Sequence, residues 1–256
     1  MNNSPIGMFD SGIGGITIFN SIKKLLPNED IIYYSDNLNS PYGNKSKSEI
    51  IRFSIKNTKL LIDKGCKIII VACNTATTNS IEELRANFKI PFVGIEPAIK
   101  PAAMQTKSGL IGILATKGTL ASGLFSNTAN NYGSDVKIIE KNAEGLVELI
   151  ERGIFEGEEI EKNLKKYLAP LIKEKIDHLV LGCTHYPILI NTIKSLIPKS
   201  VKIIDSREAV AKQTKKLIEE NKLERDFSKA NYSFYCNGST KSLNKILNNR
   251  FVINKT

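Results

Sequence analysis

The sequence predicts an α/β fold made of two similar halves, and three observations predict it. Short Ile/Val/Leu-rich runs alternate with longer stretches of helical period. The short runs are nearly continuous in apolar residues, as in parallel strands covered by helices on both faces. A weak internal repeat relates the first part of the chain to the middle. With 256 residues, the chain is long enough for one large or two small domains, and for a sizeable core.

The elements follow in order. IGMF at 6–9 reads as a strand, runs into DSGIGG and leads to a helix over 15–26. IIYYS at 31–35 is a second strand. SPYG at 40–43 is a turn by composition, and a helix follows over 47–64. KIIIVA at 67–72 is a strand ending on Cys73, with a helix expected over 79–87 and a strand at 91–95. The middle of the chain repeats the scheme. Strands are expected at 109–114, 135–140, 178–181 and 202–204, with helices over 120–131, 143–151, 157–173, 187–196 and 209–221. Residues 231–235 read as an edge strand, and 236–256 carry no assignable pattern.

The repeat is specific in its details. Ile6-Gly7 and Ile111-Gly112, 105 positions apart, open similar strands, followed by DSGIGG in one and ATKGT in the other. IIIVACNT and HLVLGCTH each end a strand on a cysteine, Cys73 and Cys183, 110 positions apart. Open α/β sheets bind ligands outside the carboxyl ends of their strands. Two halves facing each other therefore bring both cysteines to one cleft.

Composition narrows the setting. Apolar residues make up 41% and charged residues 24%, a globular balance. No apolar run approaches the roughly 18 residues of a membrane span, and the N-terminus has no basic start or long apolar core. Four cysteines are too few for a disulfide scaffold in a chain this long. A cytoplasmic, reducing location with no membrane partner is expected. The net charge of +10 raises nucleic-acid binding. The lysines are spread as KK, KEK and KNLKK on what read as solvated helix faces, without interleaved aromatics. A nucleic-acid partner is therefore not expected.

Cys66 and Cys236 read as packing residues. Cys73 and Cys183 are followed by Asn74-Thr75 and Thr184-His185, small polar residues suited to helix N-caps and to hydrogen bonding an anion. A thiol at a helix N-terminus is expected to ionise more easily and to serve as a base. With no CxxC and only two histidines, no metal site is expected. DSGIGG offers backbone N–H groups to an anion, or is simply a tight turn needing positive φ. Its sixth Rossmann position is Thr17 and no Gly-Lys-Ser/Thr follows, so a nucleotide is not indicated. A plain turn explains Asp10 least. SPYG is either a surface turn or brings Asp36 and Tyr42 to a cleft. His185 reads as a proton-handling residue, Glu151 by itself as an exposed helix residue, and His178 is given no role.

These motifs, IGMFDSGIGG, SPYGNKS, VACNTATT, GIEPAIKPA, LGCTHYPIL and IDSREAVA, resemble those of the aspartate/glutamate racemase superfamily, and of its glutamate racemases in particular. The resemblance implies two three-layer α/β domains with mostly parallel sheets and the active site in the cleft between them. It places 1–97 plus 208–256 in the first domain and 98–207 in the second, with GIEPAIKP as the crossover. It implies cofactor-independent interconversion of L- and D-glutamate, supplying D-glutamate for peptidoglycan, and a homodimer. By resemblance Cys73 and Cys183 are the two acid/base residues, with Asp10, Glu151 and His185 as auxiliary polar groups. Asp10, Ser11, Tyr42, Gly43, Asn74, Thr75, Thr184 and His185 match substrate-contacting positions. The chain departs from the family at Ser35-Asp36-Asn37, where Gly-Asp-Thr is common, and lacks a Cys-Pro element before LVELIERG.

The chemistry suits this set. Racemisation removes the α-proton from one face and returns one to the other, so two bases on opposite faces need not move. A thiol can be tuned to hold either protonation state near neutral pH. Without an electron-sink cofactor, the carbanion needs preorganised donors at the substrate carboxylate, for which Asn74, Thr75 and Thr184 are candidates. Asp10 either holds the ammonium or sets the Cys73 thiol. Three alternatives stay open: a racemase of another amino acid such as aspartate, a non-catalytic amino-acid- or nucleic-acid-binding protein, and a cysteine hydrolase on Cys183 and His185. The last has no orienting partner evident in the sequence.

Overall fold

The computed structural model describes residues 2–132, 136–226 and 229–256. The chain runs β1 (Ile6–Asp10), α1 (Ile16–Leu25), β2 (Ile31–Ser35), a 3-10 turn (Tyr42–Asn44), α2 (Lys47–Asp63), β3 (Ile68–Val71), α3 (Asn74–Asn87), β4 (Phe92–Gly94) and α4 (Ile99–Gln105). It continues through β5 (Leu110–Ala115), α5 (Lys117–Leu120), α6 (Gly123–Tyr132), β6 (Lys137–Asn142), α7 (Leu146–Glu151), α8 (Glu158–Lys173), β7 (His178–Gly182) and a second 3-10 turn (Tyr186–Leu189). The last elements are α9 (Ile190–Leu196), β8 (Lys202–Ile204), α10 (Arg207–Glu220), β9 (Tyr232–Cys236), α11 (Lys241–Ile246) and β10 (Ile253–Lys255).

The strands form two sheets, ordered β10-β9-β2-β1-β3-β4 and β6-β5-β7-β8, and each pairing among the described residues is parallel. The α/β class read from the sequence is borne out. The repeat is visible in the topology: β2-β1-β3-β4 and β6-β5-β7-β8 have the same order, and each cysteine motif follows the strand beside the central one.

Strand alternation explains the covered faces. Ile68 and Ile70 of β3 enter one core while Ile69 and Val71 enter another. In the second sheet Leu179 and Leu181 join the first of these cores, and Ile111, Ile113 and Val180 pack outward under α4 and α6. The shared core is continuous from Met8 and Ile16 through Ile13 to Leu146, Leu149 and Leu189. It therefore cements the two sheets together at the level of the DSGIGG loop, each fully buried aliphatic side chain contributing about 1.5–3 kcal/mol.

Several boundaries differ from the sequence expectation. The strand expected at 231–235 is not at the edge: β9 lies between β2 and β10, and the unassigned tail supplies both α11 and the true edge strand. The helix expected from 79 begins at Asn74. The stretch 120–131 is broken into α5 and α6, because Ser122 turns back to cap Phe125. The helix expected over 187–196 opens with a 3-10 turn. Helix α4 was not anticipated, because it contains Pro101. That proline sits in the first turn, where its missing N–H costs no intrahelical bond. The strand expected at 135–140 is found at Lys137–Asn142, and residue 135 lies outside the described residues. The lysines of KK at 23–24 and KEK at 173–175 are exposed. Among the described residues no helix is long and apolar enough to cross a membrane.

Candidate active site

Cys73 lies between β3 and α3 with an extended backbone, as the N-cap of the helix. Its sulfur accepts a hydrogen bond from the Ala76 N–H at 3.5 Å and donates to Ser11 Oγ at 3.6 Å. Ser11 donates in turn to Asp10 Oδ1 at 3.0 Å. Asp10 ends β1, the strand beside β3, so neighbouring strand ends assemble this relay. The expectation that the helix terminus would acidify this thiol is overturned. Burial, followed by the neighbouring Asp10 charge, holds Cys73 well above the usual thiol range, and the helix amide offsets this only in part. Burial also raises Asp10, against the favourable charge of His185.

Cys183 follows β7, with His185 Nδ1 3.7 Å from its sulfur. His185 Nε2 is 2.6 Å from Glu151 Oε1, at the C-terminus of α7. Since an ionised carboxylate can only accept, Nε2 carries the proton there and Nδ1 faces the thiol. Burial disfavours the imidazolium, but the bonds to Cys183 and Glu151 outweigh it and hold His185 well above its ordinary value. Glu151 is thus not the exposed helix residue that its local sequence suggests. Only 14% of its side-chain surface is exposed, and it supplies the orienting partner that the sequence did not reveal.

The DSGIGG loop meets this arrangement directly. The Ile13 N–H donates to the same Glu151 oxygen at 2.7 Å. The backbone anion cradle therefore exists, but its anion is the chain's own carboxylate. None of Gly12, Gly14 and Gly15 has positive φ, so the tight-turn explanation fails. These glycines are needed for close approach. A Cβ on Gly12 would collide with the Glu151 carboxylate, and one on Gly14 would lie 2.5 Å from His185 Nδ1 and 2.8 Å from the His185 backbone nitrogen.

Both thiols line one small, narrow cavity, with Ser11, Tyr42, Gly43, Asn74, Thr75, Thr116, Val147 and His185. Asn74, at the start of α3, is 3% exposed, and both polar atoms of its amide lack a partner. Orphaned buried amides at a cavity wall are poised for a polar ligand. Thr75, Thr116 and Thr119 hydroxyls form a buried triangle across the two halves, with separations of 2.8, 3.1 and 3.2 Å. Thr184 lies beside the cavity and donates to Asp10 Oδ2 at 3.0 Å, linking the two cysteine networks. Tyr42 is part of the cavity wall, while its hydroxyl donates to Asp36. Asp36 also accepts from Asn39 and Asn237, so it is a buried structural anchor rather than a cavity group. Cys66 and Cys236 are buried away from the cavity, and all four cysteines are free. His178 is buried against Asp177, at the opposite end of β7.

Sequence reasoning missed Thr116, Val147 and Tyr33. Thr116 was findable, since ATKGT is the repeat's counterpart of DSGIGG. Tyr33 carried no signal: its hydroxyl donates to the Gly12 carbonyl at 2.6 Å from within an ordinary apolar strand.

The arrangement presents a thiol with a hydroxyl–carboxyl relay on one wall and a thiol with an imidazole–carboxylate relay on another. Comparison with known proteins bears on what such a pair does. A family model described as Asp/Glu/hydantoin racemase matches residues 15–214. A glutamate racemase from Herpetosiphon aurantiacus is 46% identical over 218 residues, covering 85% of this chain and 86% of its own. The structure of a glutamate racemase isoform from Bacillus anthracis superposes with a TM-score of 0.88 at 31% identity, covering 100% of this chain and 97% of that one. A glutamate racemase from Escherichia coli, solved with L-glutamate and the activator UDP-MurNAc-Ala, gives 0.88 at 32% identity, with 98% of each chain covered.

Proposed function

The chain belongs to the Asp/Glu/hydantoin racemase family, among its glutamate racemases, and we propose that it interconverts L- and D-glutamate by passing the α-proton between Cys73 and Cys183. The observation that carries this reading is the pair of thiols, one from each sheet, lining a single cavity beside an unpartnered asparagine amide.

One cysteine, as thiolate, takes the α-proton from one face of the substrate. The other, as thiol, gives its proton to the opposite face. The product leaves with the protonation states of the two cysteines exchanged, and the reverse reaction or solvent exchange resets them. Each relay fits this alternation. Ser11 and Asp10 hold the Cys73 proton in place, and His185 with Glu151 compensates charge on Cys183. The Asn74 amide, the α3 N-terminus and Thr75 face the cavity and can meet a substrate carboxylate as it gathers negative charge in the transition state, while Thr184, outside the lining, supports Asp10. Ser11, Tyr42 and Gly43 complete the wall, and no cofactor is called on. The halves 1–97 plus 208–256 and 98–207 act as the two jaws of the cleft. In this reading the enzyme works in the cytoplasm, supplies D-glutamate to peptidoglycan synthesis and assembles as a homodimer.

The Cys183–His185–Glu151 line also has the outline of a cysteine hydrolase. The second thiol in the same cavity has no part in hydrolysis, which favours racemisation. The test is circular dichroism of L-glutamate with purified protein and no added cofactor, beside L-aspartate. The glutamate signal is expected to decay to zero, and Cys73→Ala and Cys183→Ala each to abolish that decay. Full racemisation by both variants would refute the two-base reading. Loss of the aspartate signal alone would change the substrate.

A further inference from the structure

Tyr33 is a fully buried titratable residue in β2, separated by β1 from the strand that carries the nearest cysteine motif, and absent from the cavity lining. Its hydroxyl lies against the DSGIGG loop: it donates to the Gly12 carbonyl at 2.6 Å and packs against Gly15. The fit is close, for a Cβ on Gly15 would lie 2.8 Å from that hydroxyl oxygen. Between these two anchor points stands Ile13, whose N–H holds Glu151 Oε1 at 2.7 Å. The same oxygen holds His185 Nε2 at 2.6 Å, and His185 Nδ1 faces Cys183. A continuous line of hydrogen bonds and two loop peptides thus runs from the interior of the first sheet to the thiol of the second.

We infer that Tyr33 is a positioning residue for the Cys183 side of the site: its hydroxyl fixes the loop amide that holds Glu151, and through Glu151 the imidazole that serves Cys183. This rests on the racemase reading for its catalytic meaning, but the geometry makes a claim about Cys183 whatever the substrate. The phenol is suited to a fixed clamp. Burial, with the Asp10 and Glu151 charges, holds it protonated well beyond its ordinary range, so its O–H donor is present throughout. Cys73 is served by Ser11 and Asp10, which precede the clamped residues, so the larger effect falls on Cys183.

The test uses Tyr33→Phe, which keeps the ring and removes the hydroxyl, in the wild-type and Glu151→Ala backgrounds. Two readouts are taken: racemisation kinetics, and the pH dependence of iodoacetamide labelling at each cysteine, resolved by peptide mass spectrometry. Loss of one neutral hydrogen bond predicts a fall in kcat of about 3- to 10-fold with KM within about 2-fold. The labelling midpoint of Cys183 is expected to rise by about half to one pH unit while that of Cys73 moves clearly less. In the Glu151→Ala background, adding Tyr33→Phe is expected to move Cys183 no further, the signature of two residues acting in one line. Equal shifts at both cysteines, an undiminished shift without Glu151, or no shift at all would overturn the inference. No racemisation by the wild-type protein would instead overturn the racemase reading, and racemisation surviving in Cys183→Ala the two-cysteine mechanism; in either case the labelling result would still decide the role of Tyr33.

Discussion

At Asp10, stability and the proposed chemistry pull in opposite directions. A carboxyl group at 0% exposure, raised in pKa by that burial, weakens the fold at neutral pH, because the folded state must carry a charge it holds poorly. Its hydroxyl partners Ser11 and Thr184 can each rotate to serve an amide equally well. Asp10→Asn is therefore expected to raise Tm at pH 7 and to lower kcat by about 100-fold or more, as at other sites where function is held against stability. A melt below wild type would contradict this. Gly14 makes the converse case. Its added methyl would meet a backbone nitrogen that cannot swing aside, and so would part the two halves. Gly14→Ala is expected to keep native circular dichroism, destabilise by about 1–3 kcal/mol, and cut racemisation about 100-fold, since small displacements of reacting groups are costly.

Helix α3 shows how an element and a catalytic group come to share one residue. The threonine-rich opening NTATT is poor helix sequence, which is why the sequence reading starts the helix at residue 79. Tertiary partners overrule that propensity. Thr75 bonds Thr116, Thr77 donates to the Val71 carbonyl and accepts from the Ile95 N–H, and Cys73 caps the end. Apart from the cap, these contacts are not helix-local, so they were not legible. The cap makes a prediction. Serine is a better N-cap than cysteine and alanine is none. Cys73→Ser is thus expected to melt at or above wild type, and Cys73→Ala about 1 kcal/mol below Cys73→Ser, with racemisation lost in both because a hydroxyl cannot exchange the proton. Thermal melts beside the dichroism assay check it. Equal melts for the two variants would mean that the sulfur contributes nothing as a cap.

For the whole molecule, the repeat of strand–cysteine units was legible because covered parallel strands write continuous apolar runs, and the sheet orders reproduce it. The closure between the halves was not. It depends on Glu151, which looks like an ordinary helix residue, and on glycines whose purpose is absent bulk rather than backbone freedom. The folded chain as a whole buries many neutral acids, with a consequence for pH. Burial pushes Cys66 and Tyr34 each up to about 12, and Cys73, Tyr33, Tyr42 and Tyr186 well above their ordinary values. In the unfolded chain these groups ionise near ~8.5 for cysteine and ~10 for tyrosine. Above those values the unfolded state binds fewer protons than the folded one, so stability must fall as pH rises. The contribution is complete below about pH 8.5 and is lost progressively toward about 12. His185 acts in the same sense, its stabilising cation being lost as pH climbs through its raised folded value. Urea unfolding at pH 7, 9, 10 and 11 is expected to give steadily lower midpoints with little change in slope. Cys66→Val, which removes a buried thiol outside the cavity, is expected to flatten the early part of that decline. A midpoint constant from pH 8 to 11 would show that these groups ionise freely in the folded protein, against the burial that the structure gives them.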